Sequence, residues 1–453
     1  MPARLIESLA TSDALAELFS DQAVLQALLD FEAALARAEA RAGVVPSAAA
    51  EKIAAAAKAD GFDIAALSRD ILRGGTAGIP LAAALRERVE AKDAEAARWV
   101  HWGATSQDAA DTALVLLLKR ANGILGDDLS RLEQALQKLS NEHKGTVMLG
   151  RTLMQGAPPV TFGLKAAGWL GAVHRGHTRL EESFARALVV QFGGASGTLA
   201  SLGERGPAVA GALAKELGLA NPEAPWHTHR DRLASLVCEC GVLTGTLGKM
   251  ARDVSLLMQN EVAEVAEPGG QGRGGSSTMP HKRNPIASAI TLAAANRVPG
   301  QVAAFLSAMV QEHERGVGGW QAEWPIVASV IQATGLAAAS MLEVAEGLWV
   351  EAARMRANLE ATNGAVFAER AAMLLGEALG RDAAQKVIEE ALRQSVAQGK
   401  HFYESLAEIP QVTAKIPPDT LRQLEAPQQY LGAAEFFRLA LLSSASDDAK
   451  KER

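Results

Sequence analysis

Residues 274–285 read GGSSTMPHKRNP, a cluster of hydroxyls, an imidazole, two cations and an amide in a chain otherwise crowded with alanine and leucine. Gly274 and Gly275 permit backbone shapes that a Cβ blocks. Ser276 and Ser277 bring hydroxyls and N–H groups together as a nest for an anion. Lys282 adds a full cation, and Asn284 both donates and accepts. Pro285 suits a first helical turn, with Asn284 as its cap. These residue types suit a carboxylate, or negative charge developing beside one. The same composition would also suit a solvated surface loop. The adjoining EPGGQGRGG, with five glycines in nine residues, favours a lid that orders on closure, an entropic cost that a passive connector would not need.

Four more polar stretches interrupt the apolar pattern: HWGATSQDAADT (101–112), GRTLMQGAPPVTFG (150–163), PWHTHRDR (225–232) and QEHERGVGGWQAEW (311–324). Each ends a long helical run, where free N–H groups and partial positive charge favour carboxylates. Thr105 or Ser106 can cap a helix starting at Gln107 while its neighbour turns a hydroxyl to a ligand; capping alone also explains TSQD. His101, between Trp99 and Trp102, reads either as a packed histidine or as a catalyst. His281 and His313 read as solvated. His227 and His229 lack the Cys, Asp or Glu spacing that completes a metal site, so no metal is expected. Arg315 offers a guanidinium fork for a carboxylate. Dinucleotide and phosphate-loop patterns are absent, so neither redox cofactor nor nucleotide is expected.

The elements that hold these residues are helical. Asp21 onward places Leu25, Leu28, Leu29, Ala33 and Ala36 on one face. Helices are expected over Thr112–His143, Pro159–Leu188, Arg230–Val265, Asn284–Gln311 and Pro325–Leu359. Their length suits a bundle, and abundant alanine lets helices approach closely. Only the segment around Val189 reads as extended. The fold class is all-α, divided into an N-terminal helical domain (1–111), a central five-helix bundle (112–359) and a C-terminal helical domain (360–453). With 453 residues, 48% hydrophobic, the chain can bury a large core. A formal charge of 45 − 52 = −7 and no polybasic block exclude a nucleic-acid partner. Cys238 and Cys240 make no disulfide framework. A polar, acidic start and no uncharged apolar run of membrane length point to a cytoplasmic protein without a membrane partner.

The 274–285 loop resembles the active-site loop of the fumarase/aspartase superfamily, whose members include argininosuccinate and adenylosuccinate lyases. HWGATSQDAADTA and GRTLMQGAPPVTFG accompany it in the family's order, and the likeness covers essentially the whole chain. DFEAALARAEARAG, PWHTHRDR, ARDVSLLMQNE and QEHERGVGGWQAEW resemble most the bacterial carboxymuconate cycloisomerase branch. The resemblance implies a three-domain homotetramer, five long helices per subunit in its core, each site shared by three subunits, a tricarboxylate substrate and no cofactor. It implies catalytic roles for Ser276, Lys282 and His101. Substrate contacts would come from Thr105, Ser106, Arg151, Gln155, Ser277, Asn284 and Arg315, and Leu153, Trp102 and His229 would shape the pocket. Two departures bear on the chemistry. Family lyases read Arg-Thr-His where this chain has Arg151-Thr152-Leu153, and they place a glutamate at the position of Ala289. Losing both halves of that pair agrees with the cycloisomerase branch. An adenylosuccinate-type C–N lyase and a cycloisomerase for a sulfonated muconate remain the alternatives.

Overall fold

The computed structural model describes residues 5–269, 274–275, 279 and 282–451, with side chains to residue 445. The architecture is all-α, with five helices of 23 to 37 residues: Ser106–Glu142, Phe162–Ala187, Asp231–Leu257, Ile286–Ala308 and Gly319–Gly347. The longest shows why it forms. Residues 107–118 are buried all round, as in the middle of a bundle. Beyond them the buried residues of this helix are Ala121, Leu125, Leu129, Leu132, Leu136, Leu139 and Ser140, a stripe at helical spacing.

The chain divides into two compact units. One comprises residues 1–130, 175–248 and 290–340; the other comprises 131–174, 249–289 and 341–453. In the first, the Asp21–Arg41 helix packs on Ser47–Ala56 and Gly206–Leu217. Val189 makes a single parallel bridge to Ala220, in the segment expected to be extended. In the second, Ala371, Leu375, Val387, Ile388, Phe402 and Leu406 centre a separate core among shorter C-terminal helices.

The second unit holds two departures from the helical reading. Val147–Thr152 and Gln155–Thr161 form an antiparallel hairpin with a bulge at Leu149/Gly150. A Cβ on Gly150 would lie 2.3 Å from the Pro158 carbonyl, so this close approach needs glycine. The helices expected over 230–265 and 325–359 also stop short. The first ends at Leu257 and the second at Gly347, because Val265–Ala266 pairs with Trp349–Val350. Gly347 lets Pro268 approach to where a Cβ would be 2.7 Å away.

The Gly319–Gly347 helix starts before Pro325. Its Trp324–Leu342 stretch carries no charge, and an 18-residue window of the helix has a mean hydropathy of 1.6, so the helix meets the length and apolarity of a membrane span. This corrects the expectation that no such run exists. Burial of 61% of the window inside the fold accounts for its apolarity.

Candidate active site

In the first unit, Asp108 organises the start of the 106–142 helix. Its Oδ2 accepts from the Thr105 N–H at 3.0 Å while its own N–H donates to the Thr105 carbonyl. Asp108 therefore closes the first turn, a task expected of Thr105 or Ser106, and neither hydroxyl is committed to it. Asp108 also accepts from the Gly193 and Gly194 N–H groups and lies 2.6 Å from His227 Nε2. A side chain at 193 would strike the His227 ring, with a Cβ 2.7 Å from Cε1. His227 is thus an internal strut, whereas His229 is exposed.

One turn further on, Asp111 accepts two hydrogen bonds from Arg230, at 2.8 and 3.0 Å, and one from Trp320 Nε1. Arg230 reaches Glu323 with Nε and Nη2, and Gln311 donates to the same carboxylate. All three charged side chains are fully buried. Burial lowers the Arg230 pKa, but Asp111 and Glu323 outweigh it and hold the guanidinium more firmly protonated than usual. Burial pushes Glu323 up despite the pairing with Arg230. Arg315 lies alongside: its Nη2 donates to the carbonyls of Gly194 and Ala195 at 2.6 and 3.0 Å. It pins by its carbonyls the same loop whose N–H groups Asp108 holds.

His101 adopts a left-handed backbone with φ of 59°, uncommon outside glycine. Its Nδ1 is 2.6 Å from Oε1 of Glu32, which is wholly buried on the 21–41 helix. Burial alone would lower the imidazole pKa. The carboxylate of Glu32 overcomes this, Asp108 adds to it, Arg86 opposes it, and the net direction is upward. Trp102 is half exposed beside Trp99, with ring centroids 5.0 Å apart. Thr105 and Ser106 are half-buried.

The second unit holds the remaining described candidates. Arg151, expected to bind substrate, makes a two-pronged pair with buried Glu264 at 2.7 and 2.9 Å, and Asn358 donates to the same carboxylate. Leu153 and Met154 form the two-residue hairpin tip with φ of 49° and 65°. Two positive φ values are those of a primed turn, usually Asn-Gly. Non-glycine residues there cost about 1–2 kcal/mol each. The tip is nonetheless exposed, Leu153 at 96% and Met154 at 70%. Gln155 is also exposed. Lys165, unremarked in sequence, lies near Asp253 and Glu264, and burial lowers its pKa.

Lys282 is exposed and Asn284 half-buried. The Asn284 N–H donates to the Gly274 carbonyl at 2.9 Å, joining the ends of the loop. Gly274 has φ of 66°, and a Cβ there would meet the Asn284 carbonyl at 2.9 Å. The cap of the 286–308 helix is not Asn284 but Glu267, which accepts from the N–H groups of Ala287 and Ser288 and from the Ser288 hydroxyl. Ser276, Ser277 and His281 lie outside the described residues.

Residues 7–300 match the family model described as lyase, and 364–437 match that of the adenylosuccinate lyase C-terminus. The chain belongs to the fumarase/aspartase lyase superfamily. Within it, the chain is 48% identical to a 3-carboxy-cis,cis-muconate cycloisomerase of Bradyrhizobium diazoefficiens, covering 98% of each chain. It is 51% identical to one from Pseudomonas aeruginosa, over 92% of this chain and 91% of the relative. The solved 3-carboxy-cis,cis-muconate lactonizing enzyme from Pseudomonas putida superposes with a TM-score of 0.93 at 45% identity, covering 98% of this chain and 99% of that one.

Among the candidates of this superfamily member, the first unit gathers His101, Thr105, Ser106 and Arg315 around Asp108 and the 193–195 loop. Arg151, Leu153, Gln155, Lys282 and Asn284 belong to the second. Sequence reasoning missed Glu32, Asp111, Arg230 and Glu323. A signal for Glu32 existed: Glu32 and Glu39 fall among Leu25, Leu28, Leu29 and Ala36 on the apolar face, where carboxylates are rarely buried without a partner.

Proposed function

We propose that the chain closes 3-carboxy-cis,cis-muconate to 4-carboxymuconolactone, a step of the beta-ketoadipate pathway. The observation that carries this reading is Leu153. An alkyl side chain at the tip of the exposed hairpin cannot take up or release a proton, and Ala289 supplies no carboxylate to tune a base. Lactonisation needs no base. The nucleophile is a carboxylate of the substrate itself, ionised at neutral pH and tethered to the double bond it attacks, so orientation supplies much of the rate.

One C–O bond forms as the alkene π pair moves onto the neighbouring carbon and into its carboxylate. One proton from solution then reaches that carbon, converting a trianion to a dianionic lactone with no other atom lost. Lys282, Asn284, Ser276 and Ser277 stabilise the migrating charge, and Ser276 or His101 delivers the proton. Thr105, Ser106 and Gln155 hold the remaining carboxylates. Arg315 has five N–H donors, enough to pin the 193–195 loop and grip a carboxylate. Arg151, committed to Glu264, supports the hairpin instead. Leu153, Trp102 and His229 shape the walls, and the chemistry calls for no metal or nucleotide.

The assembly in this reading is a cytoplasmic homotetramer of three-domain subunits, divided near residues 112 and 359, with sites shared between subunits. The exposed Leu153–Met154 tip, two bulky apolar side chains at the end of a hairpin, supports it. The test is ultraviolet loss of the carboxymuconate diene by chelator-treated protein, run beside adenylosuccinate cleavage and a sulfonated muconate. Diene loss at an undiminished rate is expected. An untouched diene with rapid adenylosuccinate cleavage would place the chain among the C–N lyases.

A further inference from the structure

The proton donor is the open step of this reading, and the first unit contains a pair suited to it. Glu32 is fully buried, and its Oε1 lies 2.6 Å from His101 Nδ1. A carboxylate removed from water demands a cation or several hydrogen bonds. Among the described residues, Glu32 Oε2 has no hydrogen-bond partner, so His101 is the group that answers its charge.

Two turns along the same helix, Glu39 is also fully buried, and neither of its oxygens has a hydrogen-bond partner among the described residues. Burial, and then the charge of Glu32, push Glu39 up to about 9, so at neutral pH it is a neutral acid. It leaves Glu32 as the single negative charge of the pair. The remaining charges acting on His101 are Asp108, which favours the imidazolium, and Arg86, which opposes it. With Nδ1 committed to Glu32, the ring nitrogen that remains for another partner is Nε2, and a protonated ring makes it a donor.

We propose that Glu32 is a positioning residue that holds His101 as a cation, with Nε2–H presented to the substrate, and that His101 delivers the proton that completes lactonisation. The inference rests on the cycloisomerase reading. In the step, the Nε2–H bond breaks, its electron pair stays on the ring, and the proton forms the new C–H bond. Nδ1–H remains donated to Glu32 throughout, and the neutral ring recovers a proton from solvent before the next turnover.

The test compares the parent enzyme with Glu32→Gln, which keeps a hydrogen-bond acceptor of nearly the same shape without the charge. If His101 must be protonated, kcat falls at alkaline pH. In Glu32→Gln this limb should move down by at least one pH unit. At pH 8, kcat should fall about tenfold or more while KM changes less than threefold, and acidification to pH 6 should restore most of the difference. A merely structural role would lower the rate equally at every pH, and that result overturns the proposal. A substrate-independent reading comes from NMR titration of the His101 ring in 15N-histidine-labelled parent enzyme. A ring still mostly cationic at pH 7, and so titrating above the ordinary value of about 6.5, with Nδ1 protonated, supports the pair, and a ring mostly neutral at pH 7 refutes it. Because this titration uses no substrate, it separates failure of the pair from failure of the cycloisomerase reading, and it stands even if Glu32→Gln does not fold.

Discussion

Glu39→Gln turns the buried acid into a measurable stability difference. Glu39 is fully buried and titrates at about 9 in the folded chain, against 4.5 as the ordinary value. A raised carboxyl pKa means that the folded state holds a proton that the unfolded state releases. The contribution of Glu39 is therefore fully present below pH 4.5 and is lost as pH rises toward 9. Within that window the slope is about 1.4 kcal/mol per pH unit. Between pH 5 and pH 7 the parent should lose roughly 2–3 kcal/mol through this one group. Glutamine has the same shape and never ionises. Its unpaired amide adds a penalty of about 1–3 kcal/mol, but that penalty does not vary with pH. The diagnostic is thus the pH dependence of the difference, not its sign at one pH. Urea unfolding of parent and variant at pH 5, 6, 7 and 8 measures it, with m-values checked for constancy. The variant should gain on the parent at each step upward in pH. A difference that stays flat from pH 5 to 8 would show that Glu39 ionises normally and that its burial has been misjudged.

Lys282→Ala should lower turnover by roughly 10²–10³, the usual effect of removing one donor from a developing anion, with circular dichroism unchanged; near-full kcat at saturating substrate would remove Lys282 from the chemistry. Leu153→His should not create efficient fumarate release, because Ala289 leaves the new imidazole without a carboxylate to set its tautomer, and it should slow lactonisation. Paired rates on carboxymuconate and adenylosuccinate test this, and a strong gain on the latter without loss on the former would refute it. Sedimentation should give about four times the 47.4 kDa chain mass. Mixing inactive His101→Ala and Lys282→Ala proteins should restore part of the activity; a fully active monomer would contradict shared sites.

Much of the helical frame is legible because its causes are local. Apolar residues every three or four positions and few turn formers are enough to place the five long helices. The polar stretches stand out for the same reason, since a loop rich in glycine, serine and charge cannot continue such a pattern. The hairpin was not legible. Its tip is Leu153–Met154, two bulky residues in a conformation that turn rules reserve for Asn-Gly. Nor was Arg230 separable from Arg232: both lie in HRDR, yet the first is fully buried in an ion triad while the second meets Glu223 at the surface.

The sequence by itself determined the class of fold, the superfamily and the loop that carries Lys282, because each depends on residues close together in the chain. Only the tertiary structure decided how the buried charges are partnered. His101 meets Glu32 across 69 residues, and Arg230 meets Asp111 and Glu323 across 119 and 93. No local preference encodes such a meeting. A carboxylate in an alanine-rich helix has the same propensity whether it faces water or an imidazole. Its protonation, its partner and its role are settled by which segment the chain brings back against it.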